Sequence, residues 1–197
     1  RDLFLPFIDL LEQKSDVVSL WDSETDYRLV QGLNRARGVY FVGRRDDDEE
    51  EDGGGFEASF RELTKESTDV RPTVLFTQGR EVKIPLASNQ HRVARFDFDE
   101  LCHRPTGAAD YLALGEHFHT VFLDDVPRLT INDINVVRRF IVFVDTMYEC
   151  HVKLIIRAHV PLDDIFEVDL ENKVFDEVFA FDRTRSRLEE MGSKDYL

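Results

Sequence analysis

Thr120-Val-Phe-Leu-Asp-Asp125 decides the fold: a short continuous apolar run that ends in two carboxylates. Further along, Val152-Lys-Leu-Ile-Ile156 is a second apolar run. Between them Val137, Phe140, Ile141, Val144, Met147 and Tyr148 recur at helical spacing, with Arg138, Asp145 and Glu149 on the polar side. Thr130 and Asn132 stand where a cap for that helix belongs. Strand, helix, strand across residues 120–158 is a crossover unit, and a crossover makes its two strands parallel. The class that follows is α/β.

Working outward, the same alternation frames the rest of a C-terminal α/β region over residues 100–197. Upstream, Thr106-Gly-Ala-Ala-Asp110 opens a helix carrying Tyr111, Leu112 and Leu114. Downstream, Pro161 and Asp163-Asp164 open another, and residues 181–188 put Arg183 and Arg187 four apart on one helical face. Residues 31–99 read as a β-rich segment. Val39-Tyr-Phe-Val42 is a strand, and Thr73–Phe76 and Arg80–Ile84 flank a hairpin turn at Thr77-Gln-Gly79. Val93–Phe98 alternates, with Ala94, Phe96 and Phe98 on one face and Arg95 and Asp97 on the other. The acidic stretch within residues 44–56 repels itself and has nothing to bury, which predicts a disordered loop, with a short amphipathic helix following from Phe56 to Leu63. Residues 1–30 predict a helix from about Pro6 to Lys14, a buried strand over Asp16–Trp21, and extended chain from Tyr27 to Val30.

Composition narrows the function. The chain has 197 residues, 42% hydrophobic with 16 Phe, enough for a sizeable core. It carries −15, seven of those negatives in Asp46-Asp-Asp-Glu-Glu-Glu-Asp52, and the remainder is still acidic. Net charge therefore argues against nonspecific binding to nucleic acid or anionic lipid. No apolar run approaches the roughly 18 residues of a membrane span; Val136–Val144 is broken by Arg138 and Arg139. Cys102 and Cys150 make neither a disulfide framework nor a zinc spacing.

Three groups of residues carry possible chemistry. Asp124 and Asp125 end an apolar strand the way a Walker-B strand presents a Mg²⁺ ligand, or simply where a strand exits into water. His117 and His119 fall within nine residues of them, which makes a metal-dependent hydrolase conceivable, with ordinary polar histidines the plainer reading. Arg183 and Arg187 suit a phosphate or a carboxylate pair, or a salt-bridged helix. No GxxxxGK[ST] occurs, so these residues alone are not expected to cradle a nucleoside triphosphate in the usual loop.

Many segments in order resemble the AFG-one-like (ZapE) family of AAA+ P-loop ATPases: Phe4-Leu-Pro-Phe-Ile8, Asp26-Tyr-Arg28, Val93-Ala-Arg-Phe96, Gly107-Ala-Ala-Asp-Tyr-Leu-Ala-Leu114, His119-Thr-Val-Phe-Leu-Asp-Asp-Val-Pro127, Arg138-Arg-Phe-Ile141 and Phe181-Asp-Arg-Thr184. The resemblance spans nearly the whole chain. It implies the end of an AAA+ P-loop core (residues 1–30), a β-rich insertion (31–99) and the C-terminal strand–helix–strand unit, with the phosphate loop and true Walker-B acid upstream. By the same resemblance Arg1 is a candidate arginine finger acting in trans, and Arg183 or Arg187 a second-sensor arginine. Three positions depart from the family pattern: Thr106 for an expected leucine, Gly115 for an alanine, and Arg157-Ala-His-Val160 where small residues are usual.

The expectation is a C-terminal portion of an ATPase that turns hydrolysis into mechanical work on protein clients, in protein quality control or division-related membrane work. ATP and Mg²⁺ belong to the parent protein and none is expected for these residues alone. A homo-oligomeric ring, no nucleic acid, and at most peripheral membrane association complete the picture. The implied location is mitochondrial, in the matrix or at the inner membrane, with the bacterial cytoplasm as the alternative. A non-enzymatic interaction module of a larger assembly is the competing class.

Overall fold

The apolar runs at 120 and 152 form adjacent parallel strands because each is buried on both faces. In the computed structural model, which describes residues 14, 39–44, 53–65, 67–167, 175–193 and 196, they are β5 (Thr120–Val126) and β7 (Lys153–Ala158), paired in parallel. Val121 and Leu123 face one core with Leu154 and Ile156, while Phe122 and Ile155 face a second core on the opposite side. Burial on both sides explains why the runs are continuous rather than alternating.

The sheet has six strands. β1 (Tyr40–Val42) pairs with β7, and β4 (Val93–Asp97) with β5, both in parallel; β3 (Arg80–Ser88) and β2 (Arg71–Thr77) extend it antiparallel, giving the order β1-β7-β5-β4-β3-β2. A small parallel pair, β6 (Leu129–Thr130) with β8 (Phe166–Glu167), stands apart. Strands from the 31–99 stretch and from the 100–197 stretch thus share one sheet. The hairpin turn is Gln78-Gly79, both at positive φ, the conformation a two-residue turn between twisted strands requires.

Helix α1 (Gly53–Thr64) covers one face of the sheet, its Phe56 and Phe60 meeting Phe41 and Phe122. Helices α2 (Ala108–His117), α3 (Ile134–Glu149) and α4 (Phe175–Met191) belong to the larger core opposite. Val137, Phe140, Ile141, Val144 and Met147 of α3 are all buried, as their spacing predicts.

Several local expectations are corrected. The loop expected over 44–56 is helical from Gly53, because α1 starts three residues early; a Cβ on Gly55 would come 2.5 Å from the Phe41 ring, so the helix reaches the sheet only through glycine. Residues 45–52 lie outside the described residues, as do Arg1, the strand at 16–21, residues 27–30 and, apart from helical Lys14, the first helix. Thr130 and Asn132 cap nothing in α3: residues 131–133 form a 3₁₀ turn and the helix begins after Asp133, with no side-chain cap. Asp163-Asp164 sit in a single 3₁₀ turn rather than opening a helix.

Candidate functional site

The carboxyl ends of parallel strands are where α/β proteins place ligands, because loops there diverge from a buried sheet. Here that edge holds Asp124 on β5, Arg157 on β7, Arg95 on β4 and, above them, Glu57 on α1. Arg157 Nε and Nη2 donate to Asp124 Oδ1 and Oδ2 at 2.7 and 2.8 Å, and Arg95 Nη2 donates to Oδ2 at 2.6 Å. Arg95 also grips Glu57 with two bonds of 2.7 and 2.8 Å, and Arg157 reaches it at 3.3 Å. The Phe56 ring lies 5.1 and 4.7 Å from the two guanidinium carbons, a cation–π contact to each.

Charge here is balanced, two cations against two anions, which is how buried charges are tolerated at all. The Asp124 side chain has no exposure. Burial pushes its carboxyl up, and the hydrogen bonds from Arg157 and Arg95 outweigh that and bring it down to about 2. The bond from Arg95 likewise holds Glu57 below the usual carboxylate range, against an opposing push from burial. A carboxylate whose two oxygens are both taken by guanidiniums is neither a general base nor a Mg²⁺ ligand. These residues do not fit Mg²⁺-ATP, and the likeness to a Walker-B strand ends at the sequence.

The histidines do not join them. His119 Nδ1 bonds Thr120 Oγ1 at the amino end of β5, and His117 Nε2 reaches Asn89. Asp124 lies five residues along the strand, about 16 Å away at ~3.3 Å per residue. Asp125, at φ +58, instead meets His159 Nε2 at 2.7 Å. Among the described residues no three His, Cys, Asp or Glu side chains converge on a metal position, which corrects the hydrolase reading built on His117, His119, Asp124 and Asp125.

Arg183 and Arg187 do share a face of α4, and it packs against α3. Arg187 Nη1 is 2.6 Å from Asp145, its Nη2 donates to Glu149 at 3.0 Å, and its guanidinium covers the Tyr148 ring at 4.7 Å. Arg183 donates to Asp145 at 2.9 Å and is half exposed, against 17% exposure for Arg187. Glu57, Arg95 and Arg157 were not among the candidates from sequence. The available signal was a charged residue inside a strand buried on both sides, which demands a partner.

A mostly parallel sheet with helices on both faces is the architecture of P-loop ATPases. The sequence model of the AFG1-like ATPase family matches residues 1–197, and the chain belongs to that family. It is 34% identical to the cell division protein ZapE of Escherichia coli and 33% identical to lactation elevated protein 1 homolog B of Danio rerio, in each case over its whole length. An uncharacterized protein of Schizosaccharomyces pombe is 30% identical, again over all of this chain. These alignments cover 48, 43 and 46% of the respective relatives, so the chain spans about half the length of the curated relatives it matches. No solved structure matches it significantly. Among the described residues no helix is long and apolar enough to cross a membrane.

Proposed function

We propose that this chain works within an AAA+ ATPase that converts ATP hydrolysis into mechanical work on protein clients. The match of the ATPase family to all 197 residues carries the reading. ATP and Mg²⁺ act elsewhere in the parent, since the Asp124 carboxylate is committed to arginine. Arg1 is the proposed trans-acting finger in a ring of identical subunits, where a guanidinium stabilises charge on a neighbour's transferring phosphate. Of the two α4 arginines, half-exposed Arg183 is the better second-sensor candidate, because Arg187 is held by Asp145, Glu149 and Tyr148. A mitochondrial site, in the matrix or at the inner membrane, is the proposed location, with the bacterial cytoplasm as the alternative.

The test is turnover by the purified full-length gene product and its Arg1→Ala variant. The wild type hydrolyses ATP, the variant binds nucleotide but loses turnover by about 10³-fold, and residues 1–197 alone show none. A full-length protein without turnover, or residues 1–197 with it, overturns the reading. The first outcome leaves the interaction module; the second excludes that as well.

A further inference from the structure

β2 is the last strand of the sheet, and among the described residues no strand pairs with its outer edge. Its register on β3 fixes which backbone groups that edge offers. Thr77 opposite Arg80 closes the two-residue turn Gln78-Gly79, and the pair closing such a turn exchanges both hydrogen bonds. Bonded and non-bonded pairs alternate from there, so Thr77, Leu75 and Thr73 direct their N–H and C=O groups to β3. The same groups of Val74 and Phe76 point away from the sheet. Only another extended backbone satisfies such a row.

The side chains of these two residues are uncovered as well. Val74 is 42% and Phe76 77% exposed, on the face opposite Leu75, Val82 and Ile84, which pack into the large core. Residues 72–77 carry no charge, so beyond Pro72 the edge has nothing to keep another strand away. The stretch Thr73-Val-Leu-Phe-Thr77 also has nearly the same character in both directions. An antiparallel two-fold partner centred on Leu75 sets Val74 against Phe76 of the second copy, Thr73 against its Thr77, and Leu75 against its Leu75. Aromatic–β-branched and Thr–Thr pairs are among those that stabilise sheets. The two Val–Phe pairs are then the hydrogen-bonded ones, because theirs are the backbone groups that face outward. The neighbouring registers fit worse. Centring on Val74 sets Phe76 against Pro72, which has no N–H, and centring on Phe76 sets Val74 against Gln78 in the turn. Charge agrees too. β3 places Lys83 beside Val74 and Glu81 beside Phe76, so each row across the two copies runs Glu81, Phe76, Val74, Lys83, with acid at one end and base at the other.

We infer that β2 joins two copies of this chain edge to edge, through an antiparallel β2–β2 contact centred on Leu75. The contact is isologous and closes on itself, which makes it distinct from the head-to-tail contacts of a ring. It does not depend on ATP turnover.

Sedimentation velocity on the full-length protein without nucleotide tests it, together with disulfide capture of the register. The wild type self-associates with a dissociation constant on the order of micromolar, as befits a small contact. Phe76→Lys and, independently, Val74→Lys each weaken that association at least about tenfold, and halve the mass whether or not rings form in addition. Leu75→Cys becomes covalently dimeric on mild oxidation, because the two Cα atoms of a non-bonded pair lie about 4.5 Å apart, within disulfide reach; mass spectrometry finds residue 75 in both linked peptides. Thr73→Cys, about 13 Å from its own copy in this register, does not link. Melting temperatures check the fold, and Leu75→Cys decides the matter where a lysine variant unfolds. A monomeric wild type, unchanged association in both folded lysine variants, or linking of Thr73→Cys as readily as Leu75→Cys overturns the inference. A monomer whose Val74 and Phe76 amides resist hydrogen exchange assigns the edge to another segment of the full-length protein and overturns it too.

Discussion

Asp124 sits with no side-chain exposure between two guanidiniums, and that placement sets what the residue does. Replacing it by asparagine keeps the shape but leaves Arg95 and Arg157, among the described residues, with Glu57 as their one shared counter-charge. Removing one partner of a buried ion pair costs about 3–5 kcal/mol, so Asp124→Asn should lower the urea midpoint by a corresponding amount with an unchanged slope. The pH dependence has a definite sign. The carboxyl titrates near 2 folded and near its ordinary 3.8 unfolded, so its contribution is complete above about pH 4 and is lost as pH falls through about 2. Stability of the wild type should fall across that window, and the Asn variant should show a flatter acid limb. An equally steep limb in both proteins would mean that other carboxylates govern acid unfolding. The sequence placed Asp124 near the carboxyl end of its strand, but the strand runs on to Val126 and Asp124 is buried within it rather than meeting water, and its company was not foreseen. Arg95 reads as a solvent-facing residue in an alternating strand until α1 is known to cover that face. Arg157 registers only as a departure from the family pattern. Both partners come from other strands, and pairing across strands leaves no mark in local periodicity.

Between elements, the α2–α3 junction turns on Gly115. A Cβ there would lie 2.8 Å from both Cβ and Sγ of Cys150, closer than side chains tolerate. Alanine gains roughly 1 kcal/mol over glycine from helix propensity, but overpacking costs about 1–3 kcal/mol. Gly115→Ala should therefore lower the melting temperature, and the sign should reverse in a Cys150→Gly background, where both obstructing atoms are gone. Destabilisation by Gly115→Ala in both backgrounds would show that the helix, not the contact, requires glycine. At this scale the sequence was informative for long periodic segments such as α3 and for the Gln78-Gly79 turn, where spacing and glycine act locally. It misplaced ends. Thr130 and Asn132 have capping chemistry, yet the chain first makes a 3₁₀ turn, and α1 gains its opening turn from glycines that read as loop. Ends depend on which neighbour the helix must reach, as Gly55 against Phe41 illustrates.

For the whole molecule, the crossover between β5 and β7 was legible because two apolar runs and the helix between them are consecutive. That β1 joins the far edge of β7 was not, since the two strands are more than a hundred residues apart and β1 is only three residues long. The same distinction separates the two α4 arginines, which sequence could only pair by spacing. α3 and α4 are fastened at Asp145, where Arg187 has three partners and little exposure while Arg183 has one named partner and half its surface in water. Arg187→Ala should then cost about 1–2 kcal/mol through the lost pair and ring contact, read by denaturation without nucleotide, and should show coupling to Asp145→Ala in a double-mutant cycle. Arg183→Ala should change stability by less than about 0.5 kcal/mol, as exposed pairs do. If Arg183 is the second-sensor group, the same substitution in the full-length protein lowers ATP turnover or nucleotide affinity severalfold at unchanged melting temperature. Wild-type turnover and affinity in Arg183→Ala would remove that assignment and leave both arginines as the fastening between α4 and α3.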